Sequence, residues 1–311
     1  MLPAVLSHGG FSVSGAYDID AERLKKVSAE YSVPAFETVE GLLEKCDAAY
    51  IATTNNSHVP LAIKAIEAGV AVLLEKPLAD TLDAALKLQK AVEKANPPLL
   101  AGYMYKYNRH NALVKSLVRE GRIGKVTAFS GSFGWYYPEP GAWRMKRAFS
   151  GAGALGDVGI YIVSTAIGLM GEAPLSCVAR AYPAGDAVYG DKYLTGRLNF
   201  SGGRWAQMTT SFISDSHEYA AIGTEGVISA ENSWAQNGEG CVKLCRGGNM
   251  EILRAEIVNP YEEELKVLLA CMDGQPVPGE MGIECAVTDM RVMNALEKSA
   301  ACGGAEIAVN T

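Results

Sequence analysis

The apolar positions of this chain fall into two regimes. From residue 1 to about 103, short apolar runs alternate with stretches in which apolar residues recur every three or four positions. Ala48-Ala49-Tyr50-Ile51-Ala52-Thr53, Val70–Leu74 and Leu99-Leu100-Ala101-Gly102 are runs of the kind that form parallel strands buried on both faces. Phe11–Tyr17 and Pro34-Ala35-Phe36 are expected to add two more strands. Helical patterns lie between them. One is capped by Asp20 and runs to about Tyr31, and one starts near Thr38. One is capped by Ser57 and ended by Gly69, and one runs from Thr81 to about Lys94. This regular alternation predicts a doubly wound parallel sheet over residues 1–103.

The rest of the chain, 104–311, has a different rhythm. A helix near Asn111–Glu120 leads to a strand at Val126–Gly134, then to a helix of small and apolar residues over Gly153–Leu169. A succession of strands follows: Cys177–Tyr182, Leu194–Phe200, Trp205–Phe212, Tyr219–Gly223, Val227–Ala230, Val242–Cys245 and Glu251–Ile257. Ser201-Gly202-Gly203 and Arg246-Gly247-Gly248-Asn249 read as hairpin turns. Strands in sequence imply a large, open, mostly antiparallel sheet, and alternating Arg197, Asn199 and Gln207, Thr209 give it one exposed face. Helices near Tyr261–Cys271 and Ile283–Ser299 close the chain. No low-complexity linker separates the halves, so the boundary near 103 is expected to be a packed junction. The fold class is therefore α/β, a Rossmann-like domain joined to an α+β domain.

Composition narrows the function. The 311 residues are 49% apolar and 20% charged, as in soluble globular proteins. The net charge of −7, without a Lys/Arg block, argues against a nucleic-acid partner. No apolar run approaches the length of a membrane span and no signal peptide opens the chain, which points to a cytoplasmic protein. Seven scattered cysteines, an odd number, suit reduced thiols, and Cys241 and Cys245 lack the second ligand pair that zinc requires. No metal site is expected.

The candidate chemistry begins at Glu75-Lys76-Pro77. It closes the Val70–Leu74 run, so its charges stand at the carboxyl end of a parallel strand, where open α/β sheets bind ligands. Asp157 and Tyr161, four residues apart in a helical pattern, share a face. A tyrosine beside a lysine ammonium is expected to have its phenolate favoured and its pKa lowered. It would then exchange a proton with a substrate hydroxyl.

Four segments carry a resemblance to a known family. They are Ala52-Thr53-Thr54-Asn55-Asn56-Ser57-His58, Ala68–Leu78, Glu120–Val126 and Gly151–Tyr161. In this order and spacing the chain resembles the Gfo/Idh/MocA oxidoreductases, relatives of glucose–fructose oxidoreductase and inositol dehydrogenase, over nearly its whole length. Asp157-Val158-Gly159-Ile160-Tyr161 is most similar to the branch holding glucose–fructose oxidoreductase, pentose dehydrogenase and dihydrodiol dehydrogenase. Many other members have histidine where this chain has Tyr161.

The resemblance implies hydride transfer between NAD or NADP and a sugar, polyol or related cyclic alcohol. It makes Lys76 and Tyr161 the catalytic pair, with Asp157 orienting the substrate. Thr53, Asn55, His58, Glu75 and Lys76 would meet the cofactor, His58 on the nicotinamide side. Tyr103 and Tyr105, after the last parallel strand, are expected to line the crevice with Lys106, Tyr107 and Asn108. Trp143 and Arg144 either hold substrate or form a basic loop with Lys146 and Arg147. Trp135-Tyr136-Tyr137 offer aromatic faces to a sugar ring or are core. His8, His110 and His217 are given structural roles. The resemblance also implies a homodimer or homotetramer through the exposed sheet face.

One departure stands at the front. A dinucleotide fold opens with a strand, a Gly-x-Gly-x-x-Gly turn, and a helix whose N-terminus holds the pyrophosphate. Met1–Ser7 instead reads as the end of a first helix, and Gly9-Gly10 follows no strand. About 20 to 25 residues of such a unit are missing by length, and truncation is the expected reason. The alternative is a natural, cofactor-deficient relative that binds sugar or assembles without turnover. Asp18 remains at the end of the second expected strand, where an acidic residue hydrogen-bonds the adenosine ribose and favours NAD.

Overall fold

The computed structural model describes residues 1–311 apart from 96, 138–140, 184, 185, 187, 235–239, 310 and 311. The first half contains α1 (Leu2–Ser7), α2 (Ala21–Tyr31), α3 (Val39–Leu43), β1 (Ala48–Ile51), α4 (Asn55–Glu67), β2 (Ala71–Glu75), α5 (Leu82–Val92) and β3 (Leu99–Gly102). The three strands form one parallel sheet in the order β1-β2-β3. Val72 and Leu74 of β2 pack into a core with Val59 and Ile66 of α4 and Leu88 of α5. Leu73 and Leu100 face the other way, against Leu268, Cys271 and the partly buried Met1 and Phe11. Covering on both faces is why β2 and β3 read as unbroken apolar runs.

Two expected strands are absent. Phe11–Tyr17 and Pro34–Phe36 meet only at a single bridge, Ala16 to Ala35. That bridge is closed by Ala16 N–H to Pro34 O (2.8 Å) and Phe36 N–H to Ala16 O (2.9 Å). A strand needs a continuous ladder, and among the described residues no other strand pairs with Phe11–Tyr17. Ser57 does not cap α4 either. The helix begins three residues earlier, after Thr54, and the Ser57 hydroxyl donates to Thr54 O (2.7 Å) inside its first turn. Asp20 does cap α2, accepting from the N–H groups of Glu22 and Arg23.

The second half contains α6 (Arg109–Arg119), β4 (Val126–Gly134), α7 (Arg147–Ser150), α8 (Ile160–Met170), β5 (Ser176–Tyr182), β6 (Tyr193–Asn199), β7 (Trp205–Ser211) and β8 (Ser216–Gly223). It continues with β9 (Gly226–Glu231), β10 (Cys241–Arg246), β11 (Asn249–Leu253), α9 (Pro260–Met272), α10 (Ile283–Ala301) and β12 (Ile307–Ala308). Nine strands make one sheet, ordered β11-β10-β9-β8-β4-β7-β6-β5-β12. It is antiparallel except for the β4–β7 pair. Phe129, Leu194, Met208, Tyr219 and Ile228 alternate inward to the core, while Arg197 and Gln207 stand outside. The helices α8 and α10 cover the inner face, and α10 also packs against α5, which ties the two sheets together. The stretch Arg147–Met170 is long and apolar enough to cross a membrane by length and composition, but 78% of its apolar window is buried inside the molecule. It is a core element.

Candidate active site

The carboxyl end of β2 places Glu75 and Lys76, and the Lys76–Pro77 peptide is cis. Tyr50 of β1 donates its hydroxyl to Glu75 Oε1 (2.6 Å), and the Lys76 N–H reaches Glu75 Oε2 (3.2 Å). Behind this turn His58 of α4 sits with Nδ1 2.9 Å from Pro77 O and Nε2 3.3 Å from Thr53 O. Burial pushes its pKa down to about 4. The neutral ring has one N–H to give, and the shorter contact assigns it to Pro77. His58 is therefore a brace between the helix start and the lysine turn.

The opposite wall depends on small residues. Gly151 holds φ +75°, a left-handed conformation, and a Cβ there would overlap the carbonyl of Asp80. A Cβ at Gly153 would overlap the carbonyl of Asp191. This close approach lets the buried Asp191 carboxylate accept from the N–H groups of Gly153 (3.1 Å) and Leu155 (3.0 Å). The chain then makes a single π-helical turn, Leu155–Gly159, and runs into α8. That turn and the first residues of α8 bring Asp157 and Tyr161 to the lysine.

Lys76 Nζ donates to the Asp157 carbonyl (2.6 Å) and to its carboxylate Oδ1 (3.0 Å). An ammonium has three N–H groups, so one is left to serve the cavity. Trp135 Nε1 donates to Asp157 Oδ2 (3.3 Å), and Arg144 Nε lies 3.6 Å from Oδ1 while its guanidinium stacks on Trp143 at 4.6 Å. Burial works to raise the Asp157 pKa, but Lys76, Arg144 and Trp135 outweigh it and hold the carboxyl below its ordinary value. Tyr161 presents its ring 4.9 Å from Lys76 Nζ, and its hydroxyl makes no hydrogen bond among the described residues.

The expected fall in the Tyr161 pKa is not found. Burial, followed by the charges of Glu75 and neighbouring groups, pushes it well above the ordinary tyrosine value. The lysine meets the face of the ring, and its charge is already committed to Asp157. Tyr161 is thus held as a protonated phenol, a donor.

A cavity of about 610 Å³ unites Thr53, Asn55, His58, Glu75, Lys76, Tyr105, Trp143, Arg144, Asp157 and Tyr161. Tyr103 and Asp18 do not reach it. Tyr103 is buried edge-on to Tyr161 (6.2 Å) and turns its hydroxyl toward Asp289, in a smaller pocket of about 90 Å³ behind the tyrosine. Lys106 lines that pocket too, while Tyr107 turns its hydroxyl to Met281. Asp18 accepts from Asp20 N–H (2.8 Å) and pairs with Arg23 (3.5 Å), closing the entry to α2. Asn55 lines the cavity and gives one amide N–H to Ser150 O (2.9 Å). Arg147 is structural, bonding Gly151 O (3.0 Å) and Glu297 (2.7 Å).

Tyr50, Phe133, His217, Trp234 and Tyr261 also line the cavity. No motif marked them. Phe133 and His217 are direct cross-strand partners of β4 and β8, a pairing that only the strand order reveals.

For a dinucleotide, Lys76 after β2 and the Tyr161 phenol of α8 line an open cavity with room for a nicotinamide ring. Among the described residues, no glycine-rich turn joins a strand of the parallel sheet to a helix N-terminus, so nothing described here fits the pyrophosphate.

Comparison with known proteins agrees with this geometry. Residues 1–103 match the oxidoreductase family model with an NAD-binding Rossmann fold, GFO/IDH/MocA, and residues 112–229 match the GFO/IDH/MocA C-terminal domain. The chain is similar to 1,5-anhydro-D-fructose reductase of Ensifer adhaerens, 28% identical over 305 residues, 95% of this chain and 91% of that one. Its fold is shared with an aldose–aldose oxidoreductase of Caulobacter crescentus in complex with glycerol, TM-score 0.89 at 24% identity, over 98% of this chain and 94% of that one. It is also shared with levoglucosan dehydrogenase in complex with NADH and levoglucosan, TM-score 0.86 at 19% identity, over 100% and 94%. The chain belongs to the Gfo/Idh/MocA oxidoreductase family.

Proposed function

We propose that this protein transfers hydride between a nicotinamide cofactor and a carbon bearing a hydroxyl or carbonyl on a sugar, polyol or related cyclic alcohol. One observation carries the reading: Lys76 and the protonated Tyr161, whose hydroxyl has no partner among the described residues, line one aromatic-lined cavity. When bound, the nicotinamide supplies or takes the hydride. The chain's own residues manage the proton and the charge. Lys76 directs its remaining N–H at the substrate oxygen and stabilises negative charge there. Tyr161 gives its proton to that oxygen in reduction and regains it in oxidation. Asp157 already has both carboxylate oxygens near protein donors, so it acts by fixing the ammonium and Arg144 rather than by gripping substrate alone. Trp135, Trp143 and Phe133 give apolar faces for a sugar ring and exclude water. Asp18 favours NAD over NADP. The exposed face of the nine-stranded sheet pairs subunits into a dimer or tetramer.

The sugar class is supported by the relatives, whose names specify an anhydrofructose reductase and a levoglucosan dehydrogenase. The test is turnover: NADH or NADPH oxidation with 1,5-anhydro-D-fructose, and NAD(P) reduction with levoglucosan, D-xylose and D-glucose. Turnover on at least one is expected, and none on all four with either cofactor would overturn the reading. The alternative reading is a sugar-binding relative without turnover. Calorimetric titration with NADH separates the two, since only the enzyme needs saturable cofactor binding.

A further inference from the structure

We propose that His217 reads one hydroxyl of the sugar, remote from the reacting carbon, and so sets which sugars are accepted. This rests on the reading of the cavity as a sugar site. His217 stands at the start of β8, directly opposite Phe133 of β4 in the strand register. Its backbone carbonyl is fixed by Ser233 N–H (3.1 Å), and its ring lies 5.0 Å from the Phe133 ring. Phe133 also lies 5.9 Å from Tyr161 and stacks on Trp234, 5.0 Å away at 10°. The phenylalanine thus packs beside both the proton donor and the imidazole. Tyr161 and His217 line the same cavity, so a sugar with one carbon at Tyr161 can set a distant hydroxyl at His217.

Among the described residues, none claims the imidazole. Nδ1 is buried without a hydrogen-bond partner, and no described residue hydrogen-bonds either ring nitrogen. Nδ1 is closed off from the cavity, but the ring lines it, and Nε2, which has no described partner, is the nitrogen a ligand hydroxyl can reach. The ring is held in place by rigid strands and aromatic contact, as a specificity residue requires. Its chemistry suits a neutral hydroxyl. A neutral imidazole offers one donor and one acceptor, and a hydroxyl offers both in return. Burial lowers the His217 pKa and keeps the ring neutral, against the opposing charge of Asp215. The cations that line the cavity, Lys76 and Arg144, are gathered at Asp157, so the His217 end has no fixed positive charge to hold a phosphate or carboxylate.

The experiment compares the parent, His217→Phe and His217→Gln. Each is assayed with D-glucose, 2-deoxy-, 3-deoxy- and 6-deoxy-D-glucose, D-xylose and 1,5-anhydro-D-fructose, by turnover and by sugar titration in a calorimeter. The Phe variant should lose about tenfold in kcat/KM, mainly through KM, on sugars that carry the hydroxyl, one neutral hydrogen bond's worth. One deoxy sugar should be handled equally by parent and Phe variant, and the Gln variant should retain most of the preference. If the parent turns over sugars and His217→Phe is unchanged, or loses equally on all, the assignment is overturned. If the parent binds sugar without turnover and His217→Phe weakens only the sugars with that hydroxyl, the assignment stands and the oxidoreductase reading falls. If no sugar binds or reacts, both fall.

Discussion

Replacing Lys76 by Met should destabilise the fold as well as the chemistry. The Lys76 and Asp157 side chains are only 13% and 17% exposed, and Nζ makes two contacts to Asp157. Removing one partner of a buried pair costs about 3–5 kcal/mol, because the other charge is stranded. Asp157 keeps Trp135 at 3.3 Å and Arg144 at 3.6 Å, so the loss should fall near the lower end, about 3 kcal/mol. Asp157→Asn leaves the lysine its bond to the backbone carbonyl and should lose about 1.5 kcal/mol. The double variant Lys76→Met/Asp157→Asn strands no charge and should lose about 2 kcal/mol, less than Lys76→Met alone. The cycle then yields a coupling of about 2.5 kcal/mol. Urea unfolding at pH 7, followed by tryptophan fluorescence with a shared slope, measures each value. Additivity within about 0.5 kcal/mol would refute the reasoning, since uncoupled sites add to that precision.

Other consequences can be checked as directly. Gly153→Ala sets a methyl group against the backbone carbonyl of Asp191, which cannot move aside. It should cost about 3 kcal/mol or more and abolish turnover, and a thermal melt equal to the parent's would contradict the close packing. Burial pushes the Asp289 carboxyl up to about 6. Below pH 4 both states hold the proton and stability is full, and as pH rises toward 6 only the unfolded chain releases it. Stability should thus fall by about 3 kcal/mol across that window. The stability of the parent minus that of Asp289→Asn, measured in urea from pH 4 to 7, should fall by the same amount, and a flat difference would refute it. Light scattering should give a mass of two or four times the 33.0 kDa chain, and a monomer would contradict pairing through the open sheet face.

The parallel strands β2 and β3 were legible because burial on both faces demands unbroken apolar runs, whereas β1, with Tyr50 exposed, read as a strand by composition and length. The strand β4 and the glycine turn into β11 were legible for local reasons, alternation and turn chemistry. Phe11–Tyr17 misled because its composition suits a strand while pairing decides whether a ladder forms. The lysine turn and Gly151–Tyr161 announced themselves by residue type, yet the π-helical turn between them depends on Asp191, far along the chain. The Tyr161 pKa was misjudged because sequence shows that a lysine is near but not where its protons go. His217 and Trp234 were hidden, since they reach the cavity only through the register of β8 against β4 and a residue beyond β9.

The most direct test of the account is the rate of Tyr161→Phe on a sugar that the parent reduces, at saturating cofactor and substrate. The hydroxyl has no partner among the described residues, so its loss should leave the melting temperature unchanged while kcat falls about 10²- to 10⁴-fold. A variant that folds as the parent does and keeps kcat within about threefold would show that Tyr161 does not donate the proton.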